Sequence, residues 1–252
     1  MSRNSFAFAG QIADHDDGNW GIGGSLTLTM IKPRAAGRRY VASSTTRAEY
    51  LSMAAQTISY TIGDRLYLNI TDRCTLECAF CPKHNGSYRV HDYDLSLDHR
   101  PEQDEIIQAI GNPADYAEVV FCGFGEPTLR LKVLSKTARH IKSGGGRVRV
   151  NTDGLANLVH KRNVLPELAD CVDALSISMN AQDESVYRRH CLPALPGSYA
   201  AMLEFLAAAP SYIDEVTATA IDGLDGVDIA ACEDLAKQRG VAFRRRDLDV
   251  VG

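Results

Sequence analysis

No run of apolar residues in this 252-residue chain reaches the roughly 18 that a membrane-spanning helix needs. The N-terminus, MSRNSFAFAGQIADHDDGNW, lacks the basic-then-apolar order of a signal peptide. An excess of basic residues is absent too. The formal net charge is −5, which argues against binding nucleic acid through bulk phosphate attraction. The expectation is a cytoplasmic protein with no membrane partner and nucleic acid an unlikely one. In that compartment thiols stay reduced, and an odd count of seven cysteines fits poorly with a disulfide framework. Internal repeats and low-complexity tracts are also missing. What remains, 45% hydrophobic and 23% charged residues, is the composition of a globular domain large enough for a real core.

The thiols are unevenly spread. Cys74, Cys78 and Cys81 fall within the stretch LNITDRCTLECAFCPKHNG, while Cys122, Cys171, Cys191 and Cys232 stand far apart and read as small buried apolar residues. A C-x3-C-x2-C spacing lets three thiolates hold three corners of a cubic iron–sulfur cluster, which normally takes four protein ligands. One iron would then stay open to a small molecule. Zinc is the rival occupant. Structural zinc takes four protein ligands, usually from paired cysteine units. No second pair exists, and His84 comes only three residues after Cys81. No clustered cysteines follow Cys81, which argues against an auxiliary cluster domain.

Residues 1–52 differ from the rest. They hold six glycines and no sustained helical period, and only SLTLTMI (25–31) alternates like a strand. This segment reads as a loosely ordered extension or a small added element, with the main domain at 53–252 starting from Met53. From residue 65 strand and helix signals alternate. Strands are expected at 66–71, 118–122, 147–152, 173–180, 215–221 and 241–247. Helices are expected at 102–110, 129–143, 155–172 (interrupted by Pro166), around 183–208 in two pieces, and at 228–240. Strands separated by helices imply a parallel sheet, either open and doubly wound or an incomplete barrel.

Ligands of parallel α/β folds bind at the C-terminal ends of the strands. The cysteine loop follows the first strand. CGFGEPT, with Gly123, Gly125 and Glu126, follows the second. Asn151 and Asp153 end the third, Ser178 and Asn180 the fourth, and Ile221 the fifth. Each has a plain structural alternative: Glu126 as a cap for the turn at Pro127, Asn180 as a helix N-cap, Asp153 as a turn residue. On the last strand, FRRRD, Arg244 and Arg246 share one side and Arg245 takes the other. Arginines inside a barrel mouth would read a carboxylate or phosphate, whereas a solvated strand end would need no ligand.

LNITDRCTLECAFC resembles the CxxxCxΦC signature of the radical S-adenosylmethionine (SAM) superfamily, with Phe80 as the aromatic. CGFGEP is similar to that family's Gly-Gly-Glu motif and departs from it at Phe124. The resemblance covers roughly 58–250. YLNITDRCTLECAFC, FCGFGEPTLRL, VNTDGLANLV, ISMNAQDESVYRRHC and the closing GVDIAACEDLAKQRGVAFRRRD look more narrowly like the short radical SAM proteins associated with TatD-type hydrolases. The resemblance implies an α/β fold, a partial (β/α)6 barrel with an N-terminal extension. It implies a [4Fe–4S] cluster on Cys74, Cys78 and Cys81, with SAM on the fourth iron. Phe80 and Ile221 would contact adenine, Gly125 and Glu126 would meet the methionine amino group, and Gly123 would let the backbone come close to the cofactor. Asn151, Asp153, Ser178 and Asn180 would meet the carboxylate and ribose. Reductive cleavage of SAM would give a 5′-deoxyadenosyl radical that takes hydrogen from a substrate, with flavodoxin or ferredoxin as electron donor. Alternatives are an activating enzyme that installs a glycyl radical on a partner protein, or a non-catalytic iron–sulfur redox protein.

Overall fold

The computed structural model describes residues 56–248. The expected strand at 25–31, the extension 1–52 and the domain start at Met53 lie outside the described residues. The strands are β1 Ser59–Ile62, β2 Arg65–Leu68, β3 Arg89–Val90, β4 Tyr93–Asp94, β5 Glu118–Phe121, β6 Val148–Thr152, β7 Ala174–Ser178, β8 Glu215–Asp222 and β9 Ala242–Asp247. β3 and β4 form a small separate hairpin, and the other seven form one sheet in the order β1-β2-β5-β6-β7-β8-β9. β1 runs antiparallel to β2, and every later pair is parallel. Each crossover therefore moves one strand on in the same direction. A doubly wound sheet needs a point where strand order reverses. This one has none, so the barrel alternative is realised: six parallel strands of a partial (β/α)6 barrel, with β1 added at one edge.

The sequence reading did not foresee β1. Its signal is Gly63-Asp64 between two alternating runs, and Gly63 takes φ 61, as a tight hairpin turn requires. The helices follow their local chemistry. Glu102 and Glu105 form a reciprocal capping box that starts Gln103–Ile110. Leu131–Ser143 turns Leu134, Ala138 and Ile141 inward and ends at the glycine run. The expected helix at 155–172 is two short helices, Ala156–His160 and Leu165–Ala169. Pro166 has no amide hydrogen and fits only a first turn, so the chain restarts a helix there. Asp183 and Asp228 cap Glu184–Cys191 and Ile229–Gln238 by accepting from the amides of Val186 and Ala231.

Alternation along each strand makes two unlike layers. Val119, Phe121, Val148, Val150, Leu175 and Ile177 face the helices and are fully buried in the main core. The alternate positions Arg149, Asn151, Ser176, Ser178 and Thr219 face inward and are mostly polar. Parallel strands buried on both faces are normally near-continuous apolar runs. A polar inner face instead belongs to strands that wall a cavity. Among the described residues no helix is long and apolar enough to cross a membrane.

Candidate active site

A cavity of about 290 Å³ lies along the inner face and reaches the C-terminal ends of the parallel strands. Cys74, Cys78, Phe80 and Cys81 line it from the loop after β2, and Gly123, Gly125 and Glu126 from the loop after β5. Asn151 and Asp153 come from the end of β6, Ser178 and Asn180 from the end of β7, and Ile221 from β8. Every site residue expected from the sequence thus meets in one place.

The cysteine loop is gripped from two sides. Its backbone pairs with the end of helix Glu184–Cys191: the Ala79 amide donates to the His190 carbonyl at 2.8 Å, and the Ala194 amide to the Thr75 carbonyl at 3.2 Å. On the other side the Glu126 amide donates to the Arg73 carbonyl at 2.7 Å. Here the backbones approach too closely for side chains. A Cβ on Gly125 would stand 2.2 Å from the Thr71 carbonyl oxygen, and one on Gly123 2.3 Å from Asn69 Oδ1.

Cys74 is exposed and Cys78 and Cys81 are half-buried, all unbridged. Although Cys74 reaches solvent, the loop packed around its sulfur desolvates the thiol, and this, then the charges of Asp153 and Glu126, pushes it up from its ordinary value. Contact with the Cys191 thiol, then burial, raises Cys78; burial raises Cys81. A metal centre here must displace these protons, because thiolates and not thiols are the ligands. Among the described residues no three His, Cys, Asp or Glu side chains converge as they would around a single ion. Cys171, Cys191 and Cys232 are buried as expected of packing residues, but Cys122 is half-buried and lines the cavity wall.

Glu126 and Asp153 form a buried carboxylate pair. One oxygen of Glu126 accepts from the Thr128 amide at 3.0 Å, the Thr128 hydroxyl at 2.6 Å and the Thr152 hydroxyl at 2.9 Å. The other accepts from the Asp153 amide at 2.7 Å. Asp153 accepts from the Leu155 amide at 2.9 Å and from the Thr75 hydroxyl. Glu126 does cap the turn at 127–130, and Asp153 is a turn residue that accepts from the amide two positions on. The two also tie the glycine loop to β6 and, through Thr75, to the cysteine loop. Burial and the Asp153 charge push Glu126 up to about 8, and burial drives Asp153 upward as well. Two buried carboxylates side by side resist ionising together, and a cation held nearby would relieve both.

Asn180 is not a helix cap; Asp183 fills that position. Asn180 is buried and left-handed at φ 61. A non-glycine residue held there is a strained feature of the kind that clusters at binding sites. Its amide donates to Cys191 Sγ at 3.7 Å, and its Oδ1 is a buried acceptor without a partner, as is Oδ1 of Asn151. An unmet buried acceptor costs about 1–3 kcal/mol. Both asparagines therefore call for hydrogen-bond donors in the cavity, and the ammonium and ribose hydroxyls of SAM are donors. Three thiols on one wall, unmet acceptors on another and glycines against the loop between them fit an iron–sulfur cluster with SAM.

Sequence reasoning missed Thr75, Thr128 and Thr152, which satisfy the carboxylate pair, and Arg149, Ser176 and Thr219 on the inner wall. The inner-wall residues were findable. RVRVN, LSIS and TATA alternate with period two, so each carries a polar face.

Comparison with known proteins agrees with this geometry. The model of the radical SAM superfamily matches residues 68–238. The GTP 3',8-cyclase of Limosilactobacillus fermentum is 37% identical over 132 residues, covering 50% of this chain and 36% of that protein. That of Lactiplantibacillus plantarum is 36% identical over 133 residues, covering 51% and 37%. The match thus spans little more than a third of the length of these curated relatives. Among solved structures, TYW1 with a lysine-pyruvate adduct bound aligns with a TM-score of 0.53 at 15% identity, over 75% of this chain and 66% of that one. Streptococcus suis SuiB bound to the precursor peptide SuiA aligns with a TM-score of 0.58 at 13% identity, over 76% and 40%. At such identities these structures speak for the fold alone. Together, the superfamily match across most of the barrel and the cavity at its strand ends lead to one conclusion: the chain belongs to the radical SAM superfamily, whose enzymes use a [4Fe–4S] cluster and SAM.

Proposed function

We propose that this chain cleaves SAM reductively, with Cys74, Cys78 and Cys81 as the cluster ligands and residues 53–252 as the working unit. The observation that carries the reading is that three thiols of one loop share a cavity with two buried, partnerless asparagine acceptors. When bound, the cluster would supply one electron and SAM the carbon-centred radical that takes hydrogen from the substrate, with Cys74, Cys78 and Cys81 holding the cluster. The chain's residues bind and orient. Gly125, with no side chain, leaves its carbonyl free to approach the methionine ammonium. Glu126 already accepts four hydrogen bonds, so it acts on that ammonium through its charge, reinforced by Asp153. Asn151, Asn180 and Ser178 take the remaining polar groups of methionine and ribose. Phe80 and Ile221 close the wall against adenine and exclude water.

A low-potential donor of the flavodoxin or ferredoxin kind would reduce the cluster. The narrower likeness to TatD-associated proteins rests on five stretches of sequence and sits beside the similarity to GTP 3',8-cyclases. The test is anaerobic reconstitution with iron and sulfide, reduction with dithionite, and assay for 5′-deoxyadenosine with and without SAM. Product that depends on both SAM and reductant supports the proposal. A loaded cluster that yields no 5′-deoxyadenosine, and whose paramagnetic resonance spectrum does not shift when SAM is added, sinks it in favour of a plain redox protein.

A further inference from the structure

The last strand carries three consecutive arginines that the cofactor reading leaves unused. β9 alternates, so Arg245 faces away from its two neighbours. Arg245 is accounted for: its Nη2 lies 2.8 Å from Asp222 Oδ2 and 3.0 Å from Asp247 Oδ1. Arg244 and Arg246 instead line the cavity, and no ion pair or hydrogen bond engages either among the described residues. Arg149 lies on the same inner wall and donates from Nε to Glu118 Oε2 at 2.8 Å.

The cavity's own carboxylates do not balance these charges. Glu126 and Asp153 are turned into threonine hydroxyls and backbone amides, and Asp247 serves Arg245. Partial burial, together with the nearby charges of Arg149 and Arg246, pushes Arg244 below its ordinary value. Arg244 keeps surface in water and Arg246 is half-buried, yet both line the cavity instead of turning apart as at a fully solvated strand end. Guanidiniums gathered on one wall, of which only Arg149 has a counter-charge in Glu118, lie beside the neutral hydroxyls of Ser176 and Thr219 and suit the fork geometry of phosphate or carboxylate recognition.

We propose that Arg244 and Arg246, backed by Arg149, form an oxyanion-binding wall that selects a substrate bearing a phosphate or carboxylate group. This rests on the function proposed above, because it takes the cavity to be where the substrate meets the radical. SAM has a carboxylate of its own, but that reading puts it at the cluster, on the β2 side of the sheet. The arginines stand on β9, which pairs only with β8 among the described residues. β9 is thus the edge of the partial barrel, where a substrate can enter.

The test is calorimetric titration of the cluster-loaded protein, with SAM present, using inorganic pyrophosphate and succinate as separate probes. At least one should bind the unaltered protein. Arg244→Gln and Arg246→Gln should each weaken it about tenfold or more, as loss of a charge-assisted hydrogen bond predicts. Arg245→Gln should bind as the unaltered protein does. Preference for pyrophosphate identifies a phosphorylated substrate, and preference for succinate a carboxylate. Binding of neither probe, or equal binding by the Arg244 and Arg246 variants, overturns the proposal. So does a matching loss of SAM affinity in those variants, which would assign the arginines to SAM. Formation of 5′-deoxyadenosine without substrate is scored on the same samples, so failure of SAM cleavage is seen separately from failure of the anion site.

Discussion

Replacing Glu126 with glutamine separates the charge of the buried carboxylate pair from its hydrogen bonds. In the folded chain Glu126 is pushed from 4.5 to about 8, mainly by burial and then by Asp153. An unfolded chain loses that proton near its ordinary value of roughly 4.3. Between these pH values the folded state holds a proton that the unfolded state has released. Unfolding free energy therefore falls as pH rises, by at most about 1.4 kcal/mol per pH unit for one proton. The contribution is complete below the ordinary carboxylate range and is lost as pH climbs through about 8. Asp153 is raised too, so its effect has the same sign. Glutamine cannot ionise and removes the Glu126 slope. Its NH2 group must also oppose a donor: the Asp153 amide, or, if the amide flips, the Thr128 amide and the two threonine hydroxyls. That mismatch costs about 1–3 kcal/mol. Urea unfolding of the reduced, metal-free protein at pH 5.5 and pH 8 gives both numbers. Glu126→Gln should be the less stable at pH 5.5, and the gap to the unaltered protein should shrink by pH 8. A gap that stays constant or widens with pH would refute the assignment of a raised, buried carboxylate.

Cys78→Ala should abolish cluster loading, read as iron and sulfide content after reconstitution, while Cys171→Ala, in the core, should load normally. Full iron content in Cys78→Ala would remove it from the ligand set. Gly125→Ala drives a methyl group into the Thr71 carbonyl, and overpacking of this kind costs about 1–3 kcal/mol. The melting temperature should drop by about 2–4 °C per kcal/mol; an unchanged melt would mean the two loops can part freely. Asn180→Gly keeps the left-handed backbone and deletes the amide, whereas Asn180→Ala strains the backbone as well. Both should lose SAM affinity, with only the alanine variant losing stability; intact SAM binding in the glycine variant would remove the Asn180 amide from the site. Thr75→Val deletes the hydroxyl that donates to Asp153 and should slow iron uptake without unfolding the barrel. An unchanged loading rate would mean the cysteine loop is positioned without that link.

Much was legible before any coordinates. The thiol spacing, the glycine–glutamate loop and the asparagine at the end of β7 are short-range patterns fixed by the chemistry they must perform. The alternation of strand and helix signals gave the parallel architecture, because each element's period depends only on its own backbone geometry. The element pattern alone left barrel and doubly wound sheet open, since strand order depends on which way each helix crosses over; only the motif resemblance pointed to the barrel, and the strand order agrees with it. The turn at Gly63-Asp64 was legible in retrospect, but nothing local said that β1 would join the sheet. That Glu126 and Asp153 form one buried, linked pair could not be read, because their partners, Thr75, Thr128 and Thr152, come from three separate loops and strand ends.

The arginine run makes the same division in one strand. The sequence by itself determined that Arg244 and Arg246 share a side and Arg245 takes the other, because side chains alternate along any extended chain. Only the tertiary structure decided which side is the cavity and which residues find a counter-charge. Asp222 reached Arg245 through the pairing of β8 with β9, and no carboxylate reached Arg244 or Arg246 among the described residues. Electrostatic balance is a property of everything that surrounds a charge, and those surroundings are assembled from segments far apart in the sequence.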